Sequence, residues 1–240
     1  MRPEAHGNAL VEPELEAETA AAAEPRREHA ARRSVLGAAF DHAPLVLVSA
    51  AVLVSGSTAL AAVWFALCRL GYVGFVGLSL RAESRSAALS RRHGAEEAWR
   101  RFRRVAERIM LADAISLGVL CVVTRGTFDP PGPTWLAVVV GLVLVVIGIG
   151  IKSWAAASLD EGTFYWRDFF VPREHRAVSV SGPYRWLSNP MYGVGYAHAY
   201  GFALLVGSWP GLVAGACAQV AILTMERLVE RPHLLRRHRR

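Results

Sequence analysis

The sequence predicts an all-α fold, a polytopic bundle of five or six transmembrane helices. Hydrophobic residues make up 53% of the chain and charged residues only 20%, a balance that excludes disorder throughout the chain, a coiled coil and a disulfide scaffold. The apolar residues fall in long runs separated by arginine-rich stretches, which is the pattern of a polytopic membrane protein. Most of the positive charge is arginine beside these runs. The net charge of +7 therefore indicates membrane topology and anionic lipid, and not nucleic acid.

Residues 1–33 are predicted to be a disordered N-terminal tail. They are rich in Glu, Ala and Arg and contain no Phe, Trp or Tyr, so they cannot bury enough apolar surface to fold alone. An N-terminal transmembrane region is predicted over residues 34–133. No cleaved secretory signal is expected, because the first apolar run begins only after residue 34.

The first apolar run, residues 44–80, is too long for one crossing. As a single helix it would be about 55 Å long, against about 30 Å of hydrocarbon. One interpretation is a span over 44–68 that ends at Arg69, with 71–80 at the interface. The other is a hairpin of two short spans joined by a turn at residues 55–58.

Arginine-rich segments determine the predicted topology. The loops 81–108 and 152–188 and the C-terminal tail are basic, whereas the connections 125–133 and 209–211 are short and near neutral. By the positive-inside rule the basic segments lie in the cytoplasm, together with the C-terminus. The N-terminal flank is also basic, so both ends of the first run are expected inside. This favours the hairpin, with six spans, over five.

The other apolar runs predict the remaining spans. Asp113, inside one of them, can pair with Arg69 within the bundle. Pro210-Gly211 is the predicted turn between the last two spans. Residues 134–235 form a C-terminal core that is followed by a basic tail, 236–240. The predicted spans cover residues 109–124, 135–151, 191–209 and 212–225.

Composition also bears on metals and on origin. Cys68, Cys121 and Cys217 each lie in an apolar run without metal-ligand spacing, so neither a zinc site nor a disulfide framework is predicted. Lysine is nearly absent and alanine is abundant. This usage is typical of a GC-rich bacterial genome, and we expect an integral protein of a bacterial inner membrane.

The 152–188 loop carries the residues best suited to chemistry. Its run Tyr165-Trp166-Arg167-Asp168-Phe169-Phe170 combines aromatic and charged side chains, although an interfacial aromatic belt is a structural alternative. Gly182-Pro183-Tyr184-Arg185 and Ser188-Asn189-Pro190-Met191-Tyr192 then lead into the next span. Asn189 before Pro190 also fits a simple helix cap.

The apolar segments contain further candidates. Glu226 and Glu230 lie one helical turn apart at the end of the last span, where carboxylates are either functional or paired with nearby arginines. Gly148-Ile149-Gly150 is a weak motif that more often serves close helix packing. His198 lies in mid-span beside Tyr196, and a satisfied core histidine is its more common role.

Taken in order, these motifs resemble the integral-membrane methyltransferases, the superfamily of phosphatidylethanolamine N-methyltransferases and isoprenylcysteine carboxyl methyltransferases. The resemblance covers roughly residues 135–235. It is carried by Gly148-x-Gly150, the 165–170 run, Gly182-x-Tyr184, Asn189-Pro190-Met191-Tyr192 and the glutamates of the last helix.

Three runs are more similar to the phospholipid N-methyltransferase branch. They are 189–192 with the following Gly195-Tyr196 and Tyr200-Gly201, the 165–170 run, and Val229-Glu230-x-Pro232-His233. The carboxyl-methylating branch typically has Arg-His-Pro where this chain has Ser188-Asn189-Pro190. The family usually ends in adjacent glutamates, whereas Glu226 and Glu230 are separated here. Glu230, directly before Arg231-Pro232, fits the family pattern best.

The resemblance implies methyl transfer from S-adenosylmethionine to a membrane lipid at the cytoplasmic ends of the C-terminal helices. The acceptor it implies is phosphatidylethanolamine or its partly methylated forms. Neither a metal ion nor a nucleic acid is expected as a partner. The implied cofactor-binding residues are Gly148, Gly150, Asn189, Pro190, Tyr192, Glu226 and Glu230. The implied substrate-binding residues are Tyr165, Trp166, Arg167, Tyr184 and Arg185, and the implied catalytic residues are Asp168, His198 and Tyr192.

Other functions stay open at this point. The same cofactor can methylate a carboxyl or another group of an isoprenoid or prenylated acceptor. A non-enzymatic transporter would need polar groups aligned through the bilayer and usually an internal repeat, and the sequence has neither. A nicotinamide-dependent membrane reductase would need a dinucleotide fingerprint on a strand, which is also missing.

Overall fold

The computed structural model of the chain describes residues 42–159, 161–171 and 181–233. All regular structure in these residues is helical, which confirms the predicted all-α class. The predicted tails 1–33 and 236–240 lie outside them, as do Arg173 and Arg176 of the basic loop. The α-helices are α1 His42–Ser55, α2 Thr58–Ser86, α3 Ala88–His93, α4 Ala95–Val123, α5 Thr134–Ala157, α6 Glu161–Phe164, α7 Ala197–Leu205 and α8 Trp209–Met225.

Within the described residues, three helical segments are long and apolar enough to cross a bilayer. They are Thr58–Ser86, Thr134–Ala157 and Trp209–His233, the last comprising α8 and the turns that follow it. Helix α1 is apolar but shorter. The chain divides into a short unit, Met1–Val48, and a main unit, Ser49–Arg240, which contains α2 to α8.

The first apolar run is broken where the hairpin interpretation places its turn. Gly56 has a φ of +62°, and the Ser57 hydroxyl accepts a hydrogen bond from the Leu60 N–H at 3.3 Å to cap α2. The Trp64 indole donates to the buried Ser49 hydroxyl at 3.3 Å, so residues 49–55 lie against α2. An end of the helix at Arg69 is wrong, because α2 continues to Ser86.

The basic segment 81–108 is helical, and the prediction of a loop there is wrong. The end of α2, the short α3 and the first half of α4 occupy it. Ala87 turns the chain with a φ of 47°, and the Glu83 carboxylate accepts from the Leu89 N–H at 2.9 Å at the start of α3. In the first half of α4, arginines alternate with a stripe of buried residues at helical spacing, a pattern that stabilises an amphipathic helix. The stripe consists of Ala98, Phe102 and Ala106.

Helices α2 and α4 pack against each other around a buried ion pair. The Arg69 guanidinium contacts the Asp113 carboxylate at 2.6 Å and also donates to the Tyr196 hydroxyl at 2.7 Å. Both members of the pair are 7% exposed. The predicted pairing of Arg69 with Asp113 is therefore confirmed, and it links α2, α4 and the residue that precedes α7.

Helices α5 and α7 cross closely because glycines lie at their contact. A Cβ on Gly148 would meet the backbone N of His198, and one on Gly201 would meet the Gly141 carbonyl oxygen. The absence of these side chains lets the two backbones touch. Helix α5 continues to Ala157, beyond the predicted end at residue 151.

The predicted span over 191–209 is wrong as a continuous helix. Regular α-helix covers only Ala197–Leu205, because the preceding residues form turns and a short 3-10 helix. Gly207, with a φ of +64°, ends α7. The predicted turn at Pro210-Gly211 is also wrong, since both residues lie in the first turn of α8, where the buried Ser208 hydroxyl accepts from the Gly211 N–H at 2.8 Å.

Two connections meet at one end of the bundle. The N–H groups of Gly126 and Phe128 donate to the carbonyls of Val206 and Gly207 at 3.1 and 2.8 Å. The α4–α5 connection and the α7–α8 turn are therefore neighbours, as their assignment to one side of the membrane requires. The aromatic loop and the last glutamates lie at the other ends of α5 and α8.

Candidate functional site

Glu230 is the centre of a cluster of aromatic donors at the end of the last helix. Helix α8 passes into a wide π-helical turn, Glu226–Glu230, whose end is marked by the Arg231 N–H bonding to the Glu226 carbonyl. Such turns are frequent at functional sites. The partly buried Glu230 accepts from the Tyr192 hydroxyl at 3.2 Å and from the side chain of Trp166.

Tyr192 reaches Glu230 from a tight turn built by Asn189. The Asn189 side-chain oxygen accepts from the Tyr192 N–H at 3.1 Å, and its backbone carbonyl accepts from the Gly193 N–H at 2.9 Å. Pro190 is fully buried beneath this turn, and its carbonyl accepts from the Gly195 N–H. Asn189 and Pro190 thus shape the turn that presents Tyr192.

Gln219 of α8 stabilises the same turn through hydrogen bonds of its side-chain amide. Its amide nitrogen donates to the carbonyls of Tyr192 and Gly193 at 3.0 and 3.1 Å, and its oxygen accepts from the Tyr200 hydroxyl at 2.7 Å. Sequence reasoning missed Gln219. A signal was present, because Gln219 is the single side-chain amide in the apolar run of α8, and such groups commonly bond across helices in a membrane.

Trp166 reaches Glu230 from a backbone conformation that is uncommon for an aromatic residue. It has a φ of +54° and a ψ of 30°, in the left-handed region, and is only 7% exposed. Its ring packs edge-on against Phe102 of α4, with 6.1 Å between the ring centroids. Asp168 lies two residues later, in the 3-10 turn Arg167–Phe169.

Two more tyrosines lie close enough to Glu230 to interact with its charge. Tyr184, in the 3-10 turn Gly182–Arg185, has its pKa raised to about 12 by burial and by the Glu230 carboxylate. Tyr72 of α2 is buried and interacts electrostatically with Glu230, and the Arg69 guanidinium lies over its ring at 5.5 Å. Tyr72 was not a predicted site residue, because nothing in α2 alone indicates contact with the last helix.

The Glu230 cluster, which consists of Glu230 with Tyr72, Trp166, Tyr184 and Tyr192, combines one carboxylate with aromatic side chains. No described Arg or Lys forms a salt bridge with Glu230, whose polar partners are the hydroxyl of Tyr192 and the indole of Trp166. A carboxylate among aromatic rings fits a ligand that brings a positive charge or hydroxyl donors, because both the carboxylate and the ring faces attract cations. Within the described residues, no group of His, Cys, Asp or Glu could hold a metal ion.

Several predicted site residues lie elsewhere. Gly148 lies within α5 against the His198 backbone, and Gly150 is exposed with open space at its Cβ position. The Nδ1 of His198 faces the Gly195 carbonyl at 2.5 Å. Glu226 begins the π-helical turn and is partly buried. None of these residues has a direct contact with Glu230 like that of Tyr192.

The charged residues of the aromatic loop differ from one another in their surroundings. Arg167 forms an ion pair with Glu96 of α4 and lies over the Trp99 ring at 5.1 Å. The Tyr165 ring faces the Arg103 guanidinium at 5.0 Å. Arg185 is exposed and lies beside the exposed Trp186. Of the two arginines among the implied substrate-binding residues, Arg185 is therefore the more accessible.

The segment that carries the cluster matches a known family. Residues 136–240 match the phospholipid methyltransferase family. The chain is 30% identical over 146 residues to phosphatidylethanolamine N-methyltransferase of Clavispora lusitaniae, covering 57% of this chain and 17% of the relative. The corresponding protein of Pyricularia oryzae is 32% identical over 139 residues, covering 57% and 14%.

These relatives are much longer than this chain, which spans about a sixth of their length. They are fungal, so they give no support to the predicted bacterial origin. No solved structure matches the chain. The resemblance inferred from the motifs is confirmed for the segment that holds Trp166, Tyr192 and Glu230, since this C-terminal part of the chain matches the phospholipid methyltransferase family.

Proposed function

We propose that the chain transfers a methyl group from S-adenosylmethionine to the amine of phosphatidylethanolamine or of its partly methylated forms. The observation that carries the proposal is the Glu230 cluster within the segment that matches the phospholipid methyltransferase family. The similar fungal proteins are phosphatidylethanolamine N-methyltransferases. The reaction needs a bound cation donor beside a lipid amine, and the residues of the cluster suit both.

Glu230 fits the cofactor by its chemistry. The bound cofactor supplies an electrophilic methyl group on a sulfonium. Its ammonium and ribose hydroxyls are donors that a carboxylate accepts, and the Tyr192 and Trp166 donors fix the carboxylate while leaving lone pairs for a ligand. The rings of Tyr72, Tyr184 and Tyr192 stabilise positive charge nearby. Catalysis is then mainly positioning of the donor and the acceptor.

Arg185 and Tyr184 receive the lipid headgroup in this proposal. Arg185 is exposed at the end of the turn that carries Tyr184. A guanidinium there can bind the lipid phosphate, while the amine extends toward Tyr184 and Glu230. Asn189 favours an amine acceptor, because it places no positive charge beside the cofactor and presents the Tyr192 ring.

The acceptor amine must lose a proton before it attacks the methyl group. We assign this proton to Asp168, which follows Trp166 in the same turn. His198 is the reserve. Its Nδ1 faces the Gly195 carbonyl, which leaves Nε2 as the nitrogen able to accept a proton. Replacement of Asp168 by Asn should therefore lower the rate of methyl transfer more than a His198→Gln variant does.

The topology is part of the proposal. The predicted hairpin within the first apolar run, residues 44–80, gives six membrane segments, with the Glu230 cluster and the basic residues of α3 and α4 on the cytoplasmic side. The meeting of the α4–α5 connection with the α7–α8 turn supports an opposite, extracytoplasmic end. Labelling of single cysteines should find position 185 accessible from the cytoplasm and position 129 from outside.

The direct test is methyl transfer by the purified full chain. Labelled S-adenosylmethionine and vesicles of mixed phospholipids are the substrates, and lipid headgroups are identified afterwards. Mono-, di- or trimethylated phosphatidylethanolamine is the expected product. Base-labile methyl esters as the only labelled product would contradict N-methylation while leaving the cofactor assignment intact.

A further inference from the structure

The aromatic loop that carries Trp166 makes several side-chain contacts with α4, which lies outside the family-matching segment 136–240. The Trp99 indole donates to the Tyr165 carbonyl at 3.2 Å. This carbonyl belongs to the peptide bond that joins Tyr165 to Trp166, so Trp99 holds the peptide unit at which the left-handed conformation begins.

Arg167, the residue after Trp166, also contacts α4. Arg167 forms an ion pair with Glu96 and lies over the Trp99 ring at 5.1 Å. Arg103 lies over Trp99 at 5.6 Å and over Tyr165 at 5.0 Å. Residues at spacings of three and four lie on one helical face. Glu96, Trp99 and Arg103 therefore form one face of α4 against both neighbours of Trp166.

The ring of Trp166 itself rests on the adjacent face of α4. Phe102 is 2% exposed and packs edge-on against Trp166, and it also contacts Phe170 with centroids 5.0 Å apart. A left-handed backbone at a bulky residue is costly and persists only where the surroundings hold it. The contacts with α4 supply that restraint on both sides of Trp166.

We propose that the first half of α4 is a positioning element of the methyl-transfer site, in which Trp99 and Phe102 hold Trp166 in the orientation that donates to Glu230. Trp99 and Phe102 touch neither substrate nor cofactor and act through Trp166. The proposal rests on the proposed function for its consequence, which is weaker cofactor binding. Its structural half, the restraint of the loop, is independent of that function.

The test for Trp99 is a double-mutant cycle on S-adenosylmethionine affinity, measured by direct binding to the purified full chain. Trp99→Phe keeps a ring but removes the indole donor, and should weaken binding about threefold to tenfold. In a Trp166→Phe background, which already lacks the donor to Glu230, the same change should alter affinity by less than about twofold. Equal effects in both backgrounds would mean that Trp99 does not act through Trp166 and would overturn the proposal.

Backbone hydrogen exchange over residues 161–171 gives a readout that needs no cofactor. Trp99→Phe should speed exchange there, and Phe102→Leu should do the same. Trp135→Phe is the matched control, because Trp135 is 65% exposed at the far end of α5, and it should leave exchange unchanged. Unchanged exchange in both α4 variants would refute the restraint. If exchange speeds up in a chain that binds no cofactor, the restraint stands and the proposed function fails.

Discussion

Two regions of the chain that bury charge differ in whether the protein supplies the opposite charge. In the bundle interior, Arg69 and Asp113 neutralise each other, and Tyr196 adds a further hydrogen bond. At the end of the last helix, Glu230 has neutral donors but no described basic partner. An ion pair closed within the bundle serves helix association, whereas a carboxylate left with neutral donors is suited to a charged ligand.

The difference follows from how each charge is surrounded. Arg69 and Asp113 come from two long helices that pack side by side, so their pairing depends on helix register alone. Glu230 depends on two separate loops, one presenting Tyr192 and the other Trp166. The interior pair is therefore expected to govern folding, and the Glu230 cluster is expected to govern binding. Three changes test this division.

The largest expected effect comes from breaking the interior pair. Asp113→Ala leaves the Arg69 guanidinium buried without its carboxylate, and should lower the free energy of unfolding by about 3–5 kcal/mol. Denaturant unfolding of the detergent-solubilised chain measures this change. The double variant Arg69→Met/Asp113→Leu removes both charges and should recover most of the loss. If the recovered double variant bound S-adenosylmethionine much less tightly than the wild type, the pair would belong to the binding site and the division would fail.

The sequence predicts the first region better than the second. Arg69 and Asp113 are isolated charges in apolar runs, and in a bilayer each needs a partner, so their pairing follows from composition. The surroundings of Glu230 do not follow in this way. Trp166 is distant from Glu230 in the sequence, and the orientation of its side chain depends on a left-handed backbone conformation that no local sequence pattern indicates.

Two errors in the predicted helices have the same origin. Hydropathy alone marks residues 191–209 as a span, but it does not register the turn that the Asn189 side chain closes at Tyr192. Charge alone marks 81–108 as a loop, but it overlooks the buried stripe through Phe102 that makes α4 one continuous helix. In both places a side chain contact overrides an average over many residues. These are also the places that shape the site.

The second change tests the Glu230 cluster itself. Glu230→Gln keeps the size of the side chain and removes its charge, and should weaken S-adenosylmethionine binding by about 1.5–3 kcal/mol through loss of a charge-assisted hydrogen bond. Glu226→Gln is the matched control on the same turn and should cost less. Isothermal titration of both variants gives the comparison, and unfolding should be little affected in either. Equal and negligible effects on binding would return both glutamates to a structural role.

The smallest expected effect separates the donor that fixes Glu230 from the charge of Glu230. Tyr192→Phe removes one hydroxyl that donates to the carboxylate at 3.2 Å and keeps the ring. It should weaken S-adenosylmethionine binding by about 0.5–1.5 kcal/mol, the usual contribution of one hydrogen bond, while the ring still faces the positive charge.

Tyr200→Phe is the matched control, because its hydroxyl donates to Gln219 on the far side of the same turn. If the Tyr200 variant weakened binding as much as the Tyr192 variant, the effect would come from the turn as a whole and not from the hydrogen bond to Glu230. If Tyr192→Phe no longer weakens S-adenosylmethionine binding in a Glu230→Gln background, the Tyr192 hydroxyl acts through the Glu230 carboxylate.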